Sequence, residues 1–347
     1  LYSHGFCTYL ATNWFVWNTP MIRERNLNTL VLILLFTVPI WAFFNDQPFT
    51  ITLATRAVIF ALAAVGLNIC LGLGGLVSFG HAVFFGIGGY AMGILAHHAQ
   101  TYTPLMEAPF LIEGTKSMPV IWLVAMITSA FVALFIGMLS LRTAGVYFIM
   151  ITLAFGQMLY FFSISWTSYG GEDGLSIYVR NEFPGINTLV PVNFFIICFV
   201  ILCLVVALNA FIKKSPFGLA LNSARQVPQR VLTVGLNPTH LKLVAFVISG
   251  VITGLAGALF ADLNRFVSPT MFSWQTSGEI MIFIILGGVA RLCGPIIGAV
   301  TFVMLEHFLG GISDFWHIYL GILLLVIVLF APGGLVGLIT GRGISHD

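Results

Sequence analysis

The stretch ITLATRAVIFALAAVGLNICLGL, residues 51–73, carries a single charge, on Arg56, in 23 residues. A helix of about 20 apolar residues crosses the hydrocarbon core of a bilayer. A helix of this composition has no polar face to present to water, so lipid and other apolar helices are its natural surroundings. The stretch therefore predicts a membrane-spanning α-helix, and with it an all-α membrane protein.

The rest of the chain has the same character. Of its 347 residues, 59% are hydrophobic and 7% are charged, against roughly 25% charged in a soluble domain. The net charge of +2 is too small to favour nucleic-acid binding, and no basic patch that could follow a phosphate backbone is present. We therefore expect a lipid bilayer around the chain and no nucleic-acid partner.

Ten apolar runs, separated by polar breaks, predict a polytopic protein of about ten transmembrane helices. They are Leu27–Phe44, Ile51–Leu73, Leu76–Ala96, Pro119–Leu141, Val146–Trp166, Val192–Ile212, Leu243–Ala261, Ile280–Ala290, Ile296–Leu309 and Trp316–Ala331. The eighth and ninth runs are short and flank a glycine-proline break, so they form either two tilted helices or one re-entrant element. Such glycine-rich broken segments are tolerated at membrane depth only inside protein or beside a water-filled cavity.

Basic residues concentrate on one side of this ten-span topology. They are Arg23, Arg25, Arg142, Lys213, Lys214, Arg225, Arg230, Lys242, Arg291 and Arg342. Lys and Arg are enriched in the cytoplasmic loops of membrane proteins. We therefore expect both termini in the cytoplasm, together with the loop 213–242.

The predicted spans define one transmembrane region, residues 27–337. It follows an N-terminal segment, 1–26, and precedes a cytoplasmic tail, 338–347. Residues 1–20 are rich in aromatic residues without a clear period, whereas Met21 and its basic neighbours have the character of a native start. We therefore expect residues 1–20 to be a non-native extension.

The sequence lacks the motifs of nucleotide, metal and hydrolase chemistry. It contains no GxxxxGK[ST], HExxH or GxSxG pattern. Charge within the predicted spans is sparse, and Arg56 and Glu279 lie near span ends, where their side chains can reach the membrane surface. We therefore expect no enzymatic activity, metal or cofactor in this chain. Any uphill transport must draw its energy from another protein.

The basic loop 213–242 has its own helix signals. Ser215 is a typical N-cap, and Pro216 suits the first helical position. Apolar residues follow at helical spacing, namely Phe217, Ala220, Leu221 and Ala224. Pro228 ends or kinks this helix, and a second short helix, Gln229–Val234, stops at Gly235. The loop is either a protein-docking element or an amphipathic helix that lies on the lipid surface.

Four parts of the sequence carry a family likeness. They are Ser215–Leu221 with Gly235–Pro238, Gly66–Asn68 with Gly75–Tyr90, Leu141–Phe148 with Thr152–Phe155, and Leu286–Val289 with Gly294–Ala299. In this order and spacing they resemble the permease of bacterial branched-chain amino acid ABC transporters, specifically the LivM-type subunit. The glycine-rich segment also resembles permeases for urea and short-chain amides, so the solute stays open between these classes.

The resemblance implies a heteromeric importer in the bacterial inner membrane. In such systems a LivM-type and a LivH-type permease form the pathway, and a periplasmic solute-binding protein delivers the solute. Two ABC ATPase subunits bind ATP and magnesium and supply the energy, so this chain itself would need no cofactor. The competing interpretations are a passive channel for a small polar solute, which needs no ATPase dock, and a membrane-embedded enzyme.

The resemblance also assigns an ATPase-coupling role by motif position. The residues expected to face the ATPase are Ser215, Pro216, Phe217, Gly218, Ala220, Leu221 and Arg225. Phe217 could fill a pocket of that partner as an anchor.

Two further groups of residues are candidates for solute transfer. Ser78 and His81 share a helical face if the helix is regular there, and they could line the pathway together with Thr152 and Gln157. The alternative for all four is hydrogen bonding between helices. On the outer side, a glycine-rich turn carries Glu172 and Asp173, which could meet basic residues of the binding protein.

Overall fold

The computed structural model describes residues 29–102, 104, 114–311, 315–330 and 333–340, most of which are helical. The expected segment 1–26 and most of the expected tail lie outside these residues. The helices are α1 (Thr29–Phe44), α2 (Pro48–Asn68), α3 (His81–Thr101), α4 (Met118–Ser140), α5 (Val146–Ser165), α6 (Pro191–Lys214), α7 (Pro216–Gln226), α8 (Pro228–Thr233), α9 (Pro238–Asn264), α10 (Trp274–Gly287), α11 (Gly294–Gly310), α12 (Trp316–Phe330) and α13 (Gly334–Thr340). Two short strands, β1 (Leu175–Ser176) and β2 (Phe266–Val267), pair antiparallel with Leu175 opposite Val267.

Six helices of the described chain are long and apolar enough to cross a membrane. They are α2 with its continuation to Leu73, α3, α4, α5, α6 and α9. Shorter apolar helices are Thr29–Phe44, Gly294–Gly310 and His317–Ile327. Each of the ten predicted runs overlaps a helix, and six of those helices reach spanning length. The prediction of an all-α protein that passes the membrane several times is therefore confirmed.

Helices α2, α3 and α9 form the centre of the bundle. In an 18-residue apolar stretch within Pro48–Leu73, 94% of the residues are buried. Helices α3 and α9 meet backbone to backbone, because Gly88 faces the carbonyl of Gly254 and Gly257 faces the carbonyl of Phe85. A Cβ atom at Gly88 or Gly257 would overlap those carbonyls, so both glycines are required for this close helix approach.

The third predicted span begins later than expected. After α2 the chain forms a π-helical turn, Ile69–Leu73, and residues 74–80 are not helical before α3 starts at His81. Gly75 has a φ of +67°, which an L-residue rarely adopts. The premise that Ser78 and His81 lie on one regular helix is therefore wrong. We call residues 74–80 the break.

The two short runs near the C-terminal end are separate helices. Helices α10 and α11 contain 14 and 17 residues, about 21 and 26 Å at 1.5 Å per residue. They pack closely, since a Cβ on Gly287 would meet the carbonyl of Gly294 and one on Gly298 would meet that of Phe283. The glycine-proline break is thus a tight turn between two antiparallel helices, and Gly294 and Pro295 are buried as expected.

Candidate functional site

Helices α7 and α8 form a short helical pair that local sequence signals determine. The Ser215 hydroxyl accepts a hydrogen bond from the Gly218 amide at 3.2 Å, and Pro216 is the first helical residue. Pro228 begins α8, and Gly235 follows it with a φ of +83°. The predicted cap, both helices and the glycine stop are confirmed. We call α7 and α8 the docking pair.

One face of α7 is fixed against the membrane helices. Leu221 and Ala224 are fully buried, Gly218 is buried, and Phe217 is half-buried against the core. A Cβ at Gly218 would overlap the carbonyl of Ile212 at the end of α6. The expectation that Gly218 and Leu221 face a partner is wrong, because these residues attach α7 to its own chain.

The other face of the docking pair is apolar and exposed. Leu219 is 62% exposed, and Leu232 and Val234 on and after α8 are 58% and 77% exposed. Between the two helices lies a groove of about 310 Å³. Its lining residues are Ala220, Ser223, Gln226, Val227, Arg230, Val231, Val234 and Leu236. An apolar surface edged by arginine suits a protein partner of mixed apolar and acidic character.

Arg225 connects the docking pair to the break. Its Nη1 donates a hydrogen bond to the Gly72 carbonyl at 2.5 Å, and its alkyl stem lies against Gly75. Arg225 is exposed in this chain, and its expected contact with the ATPase stays a prediction. This bond joins α7 to the π-helical turn that precedes the break.

Asn68, at the end of α2, holds the turn between α10 and α11. Its Oδ1 accepts from the Ala290 amide at 3.1 Å, and its Nδ2 donates to the Arg291 carbonyl at 2.9 Å. Lys213 at the end of α6 donates to the Ala290 carbonyl at 3.2 Å. Ala290 has a φ of +63°, so these bonds stabilise a strained turn. Asn68 is not among the site residues predicted from the sequence, although an amide within an apolar run is a usable signal.

A cavity of about 460 Å³ lies beside the break. The break itself, the loop between α4 and α5, and the residues around α8 and the start of α9 form its wall. The lining residues are Gly75, Leu76, Val77, Leu141, Arg142, Thr143, Ala144, Gly145, Phe148, Ile149, Pro228, Leu232, Asn237, Pro238, Thr239 and Lys242. The docking pair therefore shares a cavity with the non-helical segment between α2 and α3.

The four predicted pathway residues are dispersed. The Ser78 hydroxyl accepts from the Gly80 amide at 3.2 Å, whereas the fully buried His81 bonds through Nε2 to the Ser249 hydroxyl of α9 at 2.8 Å. Thr152 donates to the Ile149 carbonyl of its own helix, and its backbone carbonyl packs against Gly80 of the break. Gln157 is half-buried. Ser78 and Thr152 therefore lie at or against the break, and His81 joins α3 to α9.

The outer turn has the expected form. Gly170, Gly171 and Gly174 have φ values of +88°, +50° and +79°. Between them Glu172 and Asp173 are exposed. Their contact with a binding protein stays a prediction.

Comparison with known proteins identifies relatives over most of the chain. The family model described as branched-chain amino acid transport system / permease component matches residues 49–332. The high-affinity branched-chain amino acid transport system permease proteins LivM of Salmonella typhimurium and Escherichia coli are each 27% identical, over 88% of this chain and 74% of theirs. The probable permease protein LivH of Methanocaldococcus jannaschii is 25% identical, over 41% of this chain and 48% of its own length. No solved structure matches the chain.

Proposed function

We propose, from the premise that this chain belongs to the family of branched-chain amino acid transport permease components and is of the LivM type, that it is one permease of an ABC importer. The solutes are branched-chain or related small amino acids, and they cross the inner membrane of a bacterium. ATP is hydrolysed on partner subunits, and this chain contributes half of the transmembrane pathway.

The docking pair carries this proposal. Its inward face is anchored through Leu221 and Ala224, and its outward face exposes Leu219, Leu232 and Val234. A passive channel has no use for such an element. A surface-bound amphipathic helix would leave the Arg225 guanidinium in the lipid headgroups, whereas here it bonds to Gly72. In this family, the partner that binds such a docking element is an ABC ATPase.

Hydrogen bonds connect the docking pair to the ends of the membrane helices. Arg225 holds the π-helical turn through Gly72, and Asn68 at the start of that turn holds Ala290 and Arg291. Displacement of α7 therefore acts on the ends of α2, α10 and α11 together. The break, which forms no regular helix, is the element that can change shape beside the cavity.

The remaining parts of the importer follow from the same proposal. The α7 end is cytoplasmic, both termini lie there, and the chain crosses the membrane ten times once α1, α10, α11 and α12 are counted. In α5 only 22% of an 18-residue apolar stretch is buried, and Tyr147 and Met150 are 73% and 61% exposed. We assign this face to a LivH-type sister permease. A periplasmic binding protein docks at Glu172 and Asp173.

Co-purification tests the proposal. The tagged chain, co-expressed with candidate ABC ATPases and a sister permease from its own genome, should retain them in mild detergent. The assembled complex should hydrolyse ATP faster when a solute-loaded binding protein is added. Recovery of the chain without any ATPase under conditions that preserve the sister permease would contradict it.

A further inference from the structure

A charged cluster lies at the end of the bundle opposite the docking pair. Arg56 of α2 donates from Nη2 to Oε1 of Glu306 on α11 at 2.9 Å. Arg56 lies eight residues after the start of α2, about 12 Å along the helix, and Glu306 lies about one turn before the end of α11. The expectation that the Arg56 side chain reaches the membrane surface is wrong, since the side chain is paired within the bundle.

This cluster has unused hydrogen-bonding capacity. The second oxygen of Glu306, Oε2, is buried and has no hydrogen-bond partner in the described part of the chain. Arg56 has five N–H donors, and its recorded contacts in the described chain are the bond to Glu306 and the ring of Phe60. Glu279 of α10 interacts electrostatically with both Arg56 and Glu306. A buried carboxylate oxygen without a donor is costly, at about 1–3 kcal/mol or more.

The cluster opens into a cavity of about 460 Å³ between α2, α11 and the end of α9. Ligand pockets typically measure about 300–1,000 Å³. Its walls combine the charges with apolar side chains. The lining residues are Phe49, Thr52, Leu53, Arg56, Leu263, Asn264, Val303, Glu306, His307, Gly310 and Gly311. A positive side chain, a negative side chain and an apolar surface therefore line the same cavity.

The cavity does not face lipid. The side chains of Arg56 and Glu306 are 36% and 22% exposed in this chain. Ionised groups at membrane depth face protein or water, because their exposure to hydrocarbon is strongly unfavourable. The open side of the cavity is therefore filled with water or covered by another subunit.

We propose that this cavity is a subsite for a zwitterionic, apolar α-amino acid in the half of the pathway opposite the dock. The ligand ammonium group lies against the exposed part of the Glu306 carboxylate group, its own carboxylate accepts from N–H groups of Arg56 that the bond to Glu306 leaves unused, and its side chain packs against Leu53 and Val303. The inference rests on the proposed transport function and specifies where the amino acid is held after release from its binding protein.

Replacement of the ion pair separates this role from a structural one. An interior ion pair that only supports the fold can often be exchanged for apolar residues of similar size without loss of stability. The double variant Arg56→Met, Glu306→Leu should therefore still assemble with the sister permease and the ATPases, measured by co-purification. Its uptake of ¹⁴C-L-leucine into proteoliposomes should fall at least about tenfold, as expected for loss of a charge-assisted contact. Uptake at the wild-type rate overturns the subsite.

Direct binding supplies a second readout that does not depend on the double variant. In nanodiscs without binding protein, the wild-type complex should bind ¹⁴C-L-leucine. Unlabelled leucine should displace the label. Neither 4-methylpentanoate, which lacks the ammonium group, nor 3-methylbutylamine, which lacks the carboxylate, should do so at the same concentration. Glu306→Gln should weaken binding about tenfold, whereas Glu182→Gln, which removes an exposed carboxylate elsewhere, should not.

The outcomes distinguish the subsite from the transport proposal. Absence of leucine binding by the wild-type complex, or unchanged binding by Glu306→Gln, overturns the subsite alone if the wild-type complex still imports leucine. Failure of the wild-type complex to import any amino acid overturns the transport function and the subsite with it.

Discussion

The cluster of Asn68, Lys213 and Arg225 at the α7 end of the bundle and the Arg56–Glu306 cluster at the opposite end differ in how their hydrogen-bonding groups are satisfied. At the α7 end, Asn68, Lys213 and Arg225 all bond to backbone groups of neighbouring elements. At the opposite end, Glu306 keeps a buried oxygen without a hydrogen-bond partner in the described chain. A satisfied network holds elements in register and transmits movement, whereas an unsatisfied one has capacity for a ligand. We therefore assign a mechanical role to the first cluster and a binding role to the second.

The largest effect is expected on the exposed face of the docking pair. Leu219→Asp places a charge on the surface that would be buried against an ATPase, and hot-spot losses at interfaces reach about 2 kcal/mol or more. Binding of the ATPase should fall at least about thirtyfold, measured by co-purification and by biolayer interferometry. Leu189→Asp is the matched control, because Leu189 is also 62% exposed but lies in the outer loop before α6. Equal losses in both variants would contradict the assigned dock.

The next effect concerns the stability of the α7 end. Asn68→Leu removes both bonds to the turn between α10 and α11 and leaves the Ala290 amide and the Arg291 carbonyl without this partner. Each loss costs about 1–3 kcal/mol, so the thermal unfolding temperature of the purified chain should fall clearly. Gln157→Leu is the control, because Gln157 is a half-buried amide in a spanning helix with no recorded hydrogen bond in the described chain. An equal decrease in the unfolding temperature of Gln157→Leu would show that the Asn68 hydrogen bonds make no specific contribution to stability.

A smaller effect separates docking from transmission. Arg225→Met keeps the alkyl contact with Gly75 and removes the bond to Gly72, which is worth about 1.5–3 kcal/mol for a charged donor. ATPase binding should persist while the amount of leucine transported per ATP hydrolysed decreases. Arg230→Met removes a nearby exposed arginine of α8 and should leave that ratio unchanged. An unchanged ratio in Arg225→Met would remove Arg225 from the transmission route.

The smallest effect is expected at the exposed outer turn. Replacement of both Glu172 and Asp173 by their amides should lower the affinity of the binding protein a few-fold, mainly through the association rate, because rim charges steer encounters. The difference should disappear at high salt. A salt-independent loss, or no loss at low salt, would reject these two residues as the electrostatic contact.

Local signals in the sequence predict the α7 end well. Ser215, Pro216, Pro228 and Gly235 determine where the docking helices begin and end, because caps and prolines act over three or four residues. The burial of Gly218 against α6 cannot be predicted from these local signals, because it depends on where α6 ends. A family motif indicates that a segment matters but not which of its side chains face inward.

The polar contacts within the bundle are not predictable from local pattern. His81 and Ser249 are 168 positions apart in sequence, Asn68 and Ala290 are 222 apart, and Arg56 and Glu306 are 250 apart. Apolar periodicity identifies each helix but contains no information about which helix packs beside it. The sparse charges of the spans therefore look like isolated residues near span ends, although two of them form an ion pair.

ATP-dependent uptake is the most direct test of the account. The purified chain, its sister permease, the ATPases and the binding protein would be reconstituted into proteoliposomes, and entry of ¹⁴C-L-leucine would be followed with and without ATP. Leucine should accumulate above the external concentration only when ATP and the binding protein are both present. Equilibration of leucine or urea without ATP, at a rate that the ATPases do not change, would identify a passive channel and contradict the account.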